Sequence, residues 1–295
     1  MKKIKKSILI LVTLLLFLLL SLINAPSIIN NILEYSKLFL TKLFPVSFLF
    51  FIISNLLINY GLVEIIESFF HINMSQFYVL LISSISGFPS GAKCIKDLVE
   101  KNIITLEEAN KMIRFSHFPN PLFIFGTIYT ILKDNTLTQK LYLAIILSNI
   151  LIFITQKYKS NNTSIDIPYP ENFSLVLTKA INSSLQTILL IYGTSLFFFL
   201  ISTLIIIYIP ISSYGYVLIN GLFDLTKGVF ATTIIQNKII QAYFILFFIQ
   251  FGGISIHMQT KGILSNSQIS YLSFVTGRII STIISFILLH LFLKF

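Results

Sequence analysis

The residues best suited to holding a solute gather around two interruptions of apolar sequence. One is Ser86-Gly87-Phe-Pro-Ser90-Gly91, and the other is Phe251-Gly252-Gly253. Proline lacks an amide donor, and glycine lets a ligand approach the backbone closely. Gly87, Ser90, Gly91, Gly252 and Gly253 are therefore the candidate positions for exposed amides, with close helix packing as the competing reading. Lys93 follows the first break and either faces a bound anion or snorkels to the membrane interface. Arg278 stands in a largely apolar stretch, with its nearest other charges at Lys261 and Lys294. Such a charge is costly in lipid and must face protein or water, binding a solute or pairing with a carboxylate. Asp224, beside Thr226 and just before Gly228, fits proton uptake, a coupling cation, or an ion pair with Arg278 or Lys227. His257 and Gln259 follow the second break and either hydrogen-bond a carboxylate or cap and pack. Asn120-Pro121 reads as a break-and-cap feature with a site contact.

Other chemistry is not in view. His71, His117, His257 and His290 share no metal spacing, Cys94 is the sole cysteine, and no P-loop occurs. Asp97, Glu100, Glu107 and Glu108 suit the solvated face of amphipathic helices better than an acid–base pair. The expectation is a protein that is not an enzyme, holds no cofactor or metal, and draws on a gradient or a partner for energy.

Those residues need elements to position them, and composition says where the elements lie. The chain is 55% hydrophobic and only 11% charged, with mean hydropathy +0.88. A soluble surface needs far more charge. Residues Ser7 to Leu33, Leu43 to Val63, Ser68 to Ala92 and Ala180 to Phe223 carry no Asp, Glu, Lys or Arg. About 20 helical residues cross a hydrocarbon core of about 30 Å. The net charge of +10 sits mostly on lysines flanking apolar runs, as lipid headgroups favour, and no nucleic acid is implied. Lysines at positions 2, 3, 5 and 6 place the amino terminus in the cytoplasm, ahead of a retained helix over Ser7 to Asn24.

Further helices are predicted over Leu38 to Tyr60, Pro121 to Leu132, Leu141 to Gln156, Ala180 to Ile209 and Ile269 to Phe295. Two short amphipathic helices meet near Asn102, the second opened by a Thr105-x-x-Glu108 capping box. Lys101-Asn-Ile-Ile-Thr-Leu-Glu-Glu108 and Lys261-Gly-Ile-Leu-Ser-Asn-Ser-Gln268 share a pattern, and each follows a glycine break. The expected fold is thus an all-α polytopic membrane protein of about eight hydrophobic helical segments. Two repeated halves would hold interrupted or reentrant helices, a transporter signature. The organisation expected is an anchor helix and connector over 1–37, a first gate-like repeat over 38–157, a polar linker over 158–178, and a second repeat over 179–295.

Five stretches also resemble a known family. They are Ser86-Gly-Phe-Pro-Ser-Gly-Ala-Lys93, Asn102-Ile-Ile-Thr-Leu-Glu-Glu-Ala109, Pro119-Asn-Pro-Leu-Phe-Ile-Phe-Gly126, Gly221-Leu-Phe-Asp-Leu-Thr-Lys-Gly228 and Phe251-Gly-Gly-Ile-Ser-Ile-His-Met-Gln259. In this order they resemble the YlbJ-type sporulation integral membrane proteins, over about residues 40 to 290. That group carries the nucleoside-recognition, or gate, domain and is similar to parts of concentrative nucleoside transporters. The resemblance implies a role in endospore formation, moving dipicolinic acid across the outer forespore membrane. It implies as partners membrane lipids, a small anionic solute, a coupling proton or cation, and other sporulation membrane proteins. A dipicolinate-like solute is flat, aromatic and doubly negative. Asp224 stands where the family pattern has Glu, and His117 where it has Asn. The alternatives are a non-transporting scaffold for spore-envelope assembly and a nucleoside-type carrier.

Overall fold

The structure, a computed structural model, describes residues 2–62, 65, 75–156 and 172–294. Most of the polar linker expected after Gln156 lies outside the described residues, as does His71. All regular structure among the described residues is helical.

The first element, α1 (Lys2–Ile23), is apolar all round, and Leu9, Leu11 and Leu22 are each more than half exposed. Such a helix belongs in lipid. At Asn24 the chain turns by 95° into α2 (Ala25–Leu38). A π-helical turn, Phe39–Leu43, leads on to α3 (Phe44–Asn59), whose first turn holds Pro45. After residue 74 come α4 (Ser75–Ser86) and α5 (Ser90–Glu100), joined by the first glycine break. Asn102, in the left-handed region at φ 58°, turns the chain toward α6 (Leu106–Met112). An irregular stretch over 113–120 then reaches a π-helical turn, Phe123–Ile128, and α7 (Tyr129–Leu132).

The second part is built on longer helices. They are α8 (Asn135–Thr155), α9 (Phe173–Tyr208), α12 (Lys238–Phe251) running into α13 (Ile254–Ile263), and α14 (Tyr271–Lys294). Between α9 and α12 lie two short helices, α10 (Ser213–Phe223) and α11 (Leu225–Ala231). The last helix packs on α8 and α12, and α9 packs on α3 and α13. At 36 residues, α9 is about 54 Å long, well beyond one hydrocarbon thickness.

Two expectations are corrected here. The helices long and apolar enough to span a membrane number four among the described residues, or five if the bent α1–α2 pair counts as one span; about eight were expected. The reason is length. The 16 residues of α3 reach about 24 Å and the 12 described residues of α4 about 18 Å, short of a core of about 30 Å. Proline, glycine and buried polar groups divide the apolar runs before they can cross.

The second correction is the repeat: no clear two-repeat pattern is present. The first break turns the chain between two short helices, whereas Gly252-Gly253 lies within one 26-residue span, Lys238–Ile263. The capping boxes also differ. Thr105 accepts from the Glu108 amide at 3.3 Å, and the Glu108 carboxylate accepts from the Thr105 amide at 2.8 Å. At the matching place Leu264 to Asn266 form a turn, Ser267 to Ser270 are irregular, and the next helix starts only at Tyr271. The Ser270 amide there donates instead to Asn110 Oδ1 at 2.7 Å.

The Thr105 cap offers a modest test. Replacing Thr105 by Ala is expected to cost about 1 kcal/mol. Cys94, the single cysteine and 2% exposed, makes a thiol-reactive fluorogenic dye a direct monitor of unfolding. A T105A melting midpoint equal to that of the unmodified protein would count against the cap's contribution.

Candidate functional site

The two breaks meet inside the molecule. Gly87, at φ +80°, lies against the backbone of Asn120, so that an added β-carbon would sit 2.7 Å from the Asn120 nitrogen. Phe88 stacks on His117 with ring centroids 4.8 Å apart. The His117 ring in turn lies 3.8 Å from where a β-carbon on Gly252 would be. The 113–120 stretch is therefore the seam between the first break and the second.

Breaking a buried helix frees its last carbonyls, and these need donors. Three side chains supply them. His117 Nε2 meets the Ile249 carbonyl at 3.1 Å, Arg278 Nη1 the Gln250 carbonyl at 3.4 Å, and His257 Nε2 the Phe251 carbonyl at 3.0 Å. Arg278 is fully buried and also donates to the carbonyls of Arg114 and His117 and to Asn149 Oδ1, at 2.8, 3.4 and 3.2 Å. Its guanidinium lies 5.6 Å from the Phe274 ring centre. The other nitrogen of His257 meets the Tyr271 hydroxyl at 2.9 Å. Arg278 and His257 thus close backbone left open at the breaks, which is what a helix interrupted in lipid requires.

Beside this seam lies a cavity of about 70 Å³. The first-break region contributes Ser86, Phe88 and Asn120; α11 contributes Thr226; α13 contributes Ser255 and Gln259; Asp224 stands at the α10–α11 junction. A second space of about 310 Å³ shares Leu43, Ser47, Asn120, Phe123 and Thr226 as lining, so the two are neighbours with a common wall. Asp224 is 1% exposed. Its Oδ1 accepts the Lys227 amide at 3.0 Å and its Oδ2 the Ser255 hydroxyl at 3.1 Å. Gln259 donates to Ser195 Oγ at 2.9 Å. Asn120 Oδ1 accepts the Leu122 amide at 2.8 Å, as a break-and-cap residue should.

The structure therefore brings Asn120, Asp224, Thr226 and Gln259 to one cavity. It places Lys93 elsewhere, in a polar groove of about 360 Å³ where its ammonium pairs with Asp97 at 3.2 Å. Gly91 faces the Ser116 carbonyl, Gly253 packs on the α10–α11 junction, and the Ser90 hydroxyl bonds the Gly87 carbonyl. Asp224 is not ion-paired with Arg278 or Lys227; the Lys227 ammonium donates to Thr203 Oγ1 at 2.6 Å. Among the described residues no cluster of three or more His, Cys, Asp or Glu is placed to hold a metal.

Sequence reasoning missed Ser195 and Ser255. A signal for Ser195 existed: Ser184, Thr187, Ser195 and Ser202 are all buried on α9, and their spacing puts hydroxyls on one face of an otherwise apolar helix. The groove and the cavity lie on either side of that helix. Thr187 and Leu190 line the groove, whereas their neighbours Ile188 and Ile191 line the cavity.

The sequence that builds this seam has a relative among known proteins. An alignment with the sporulation integral membrane protein YlbJ of Bacillus subtilis (strain 168) runs over 304 residues at 26% identity, and takes in 85% of this chain and 74% of that one. The chain is homologous to YlbJ. No protein-family model matches it, and no solved structure does. The chain is thus a multi-pass membrane protein related to a sporulation integral membrane protein.

Proposed function

We propose that this chain is a carrier for a small anion, and that the solute passes through the paired cavities beside the seam. The observation that carries this reading is a mainly apolar cavity between broken segments inside a membrane protein, with Asp224, Asn120, Thr226 and Ser255 set into its wall. A purely structural scaffold would have no need to keep carboxylate, amide and hydroxyl groups around such a space. Carriers place their solute sites at helix interruptions because irregular backbone is tolerated only there.

Dipicolinic acid is the substrate this reading favours, following the resemblance to the YlbJ-type proteins, and the outer forespore membrane is its proposed location, with the amino terminus in the mother-cell cytoplasm. The wall chemistry supports a flat aromatic acid. Phe39, Phe88 and Phe123 supply ring surfaces, while Ser47, Ser86, Asn120 and Thr226 supply hydroxyl and amide donors. The polar groove around Lys93 would act as the vestibule on one side of the α9 partition.

Purified protein in liposomes should move dipicolinate at a rate well above empty vesicles. Replacing Thr226 by Val removes a hydroxyl that lines both spaces while keeping the bulk of the side chain. Losing one hydrogen bond to a charged group is worth about 1.5–3 kcal/mol, so T226V flux should fall about tenfold or more. Folded wild-type protein that carries no dipicolinate would overturn the reading.

A further inference from the structure

We propose that Asp224 is a proton-binding site, and that its carboxyl takes up a proton when the anionic solute enters the cavity it lines. This rests on the carrier reading and adds the means by which the solute's charge is compensated.

The geometry supplies the argument. Asp224 is 1% exposed, opens onto the cavity, and has no cation paired with it among the described residues. The titratable groups facing it are Lys227, on its own helix, and Tyr35, from α2. The Lys227 ammonium is engaged by Thr203 and the Phe199 carbonyl and lies 4.0 Å from the centre of the Phe199 ring. Tyr35 is bonded to Ser195. The other elements packed there present neutral groups: Ser195 from α9, Ser255 and Gln259 from α13, Ser86 and Asn120 from the first-break side. Arg278, the other counter-charge considered for Asp224 from the sequence, is occupied by carbonyls of the seam.

An ionised carboxylate shut away from water without a cation is costly. A solute carboxylate entering the same space adds like-charge repulsion. One proton removes both costs. The surroundings also accommodate either charge state without moving a side chain. Ser195 Oγ accepts from Gln259, and the Ser195 and Ser255 hydroxyls can each donate or accept. An ionised Asp224 accepts from these hydroxyls, and a protonated one donates to them. A metal ion would need oxygens turned toward it, and Asp224 Oδ1 lies against the Lys227 backbone amide, which cannot turn. The proton bound from one side is released on the other, so the transported species is solute plus proton.

The test uses the full chain in liposomes loaded with a pH-sensitive dye. Dipicolinate influx should carry protons inward, and one pH unit across the membrane should raise accumulation by up to about tenfold, the factor one coupled proton supplies. In Asp224→Asn this ratio, accumulation with the gradient over accumulation without it, should fall to about one; Asp224→Glu should restore a ratio above one. A D224N ratio equal to wild type overturns the proposal, as does accumulation driven by a sodium gradient and indifferent to pH. Infrared pH-difference spectra of the purified protein separate this from the carrier reading. A protonated-carboxyl band present in wild type and absent from D224N supports the proton site even if no dipicolinate moves, which would sink the carrier reading alone. Identical spectra overturn the proton site whatever the flux. The melting midpoint read through Cys94 checks that each variant is folded.

Discussion

Replacing Arg278 by Ala is expected to destabilise the protein by about 3–5 kcal/mol, the largest loss of any single substitution considered for this chain. Nothing about the residue as a lone charge in an apolar helix requires this; its contacts do. The guanidinium serves carbonyls of Arg114, His117 and Gln250 together with Asn149 Oδ1. Three of those acceptors belong to backbone that no helix satisfies. A buried acceptor left without a donor costs about 1–3 kcal/mol, and such costs do not simply add. Lysine would keep the charge but not the planar fork, so R278K should recover only part of the stability. Dye reaction at Cys94 during a thermal ramp in detergent measures both variants. A melting midpoint for R278A within a degree or so of wild type, on a scale where about 1 kcal/mol shifts midpoints by a few degrees, would refute this role.

The second large effect is expected at Gly91. A β-carbon there would overlap the Ser116 carbonyl oxygen and lie 2.6 Å from Ser83 Oγ. Ser116 precedes His117, which caps the Ile249 carbonyl and stacks on Phe88. Alanine would push α5 away from the seam or drag the seam with it. Overpacking of this kind costs about 1–3 kcal/mol, and more where backbone is the obstacle. Flux should fall with stability, because Phe88 and Asn120 line the cavity. Gly193 provides the control, being a helical glycine of α9 with nothing near its would-be β-carbon. G193A should be neutral or stabilising by up to about 1 kcal/mol, since alanine is the better helix former. Equal effects of G91A and G193A would show that helix propensity, not contact with Ser116, is at work.

Local chemistry was legible residue by residue. The Thr105–Glu108 box, the turn at Asn102 and the interruption at Gly87 to Gly91 all stand where their residue types put them, because capping and turn preferences act over a few neighbours. The apparent repeat shows the limit of the same reasoning. Lys261 to Gln268 has the letters of the earlier segment. Yet a capping box forms only where the next residues continue as helix, and there the Ser270 amide is taken by Asn110. Number of spans failed for a related reason: hydropathy records how apolar a run is, not where a proline, a π-turn or a seam contact ends its helix.

By itself the sequence determined that this chain resides in lipid and that its apolar segments are interrupted at named glycines and prolines. Charge content and hydrogen-bonding capacity are properties of the residues, and lipid screens them without reference to the fold. Only the tertiary structure decided which polar groups share a space. It set Asn120, Asp224, Thr226 and Gln259 around one cavity and turned Arg278 and His257 onto backbone carbonyls, because a buried carbonyl draws the nearest donor across any distance in the chain.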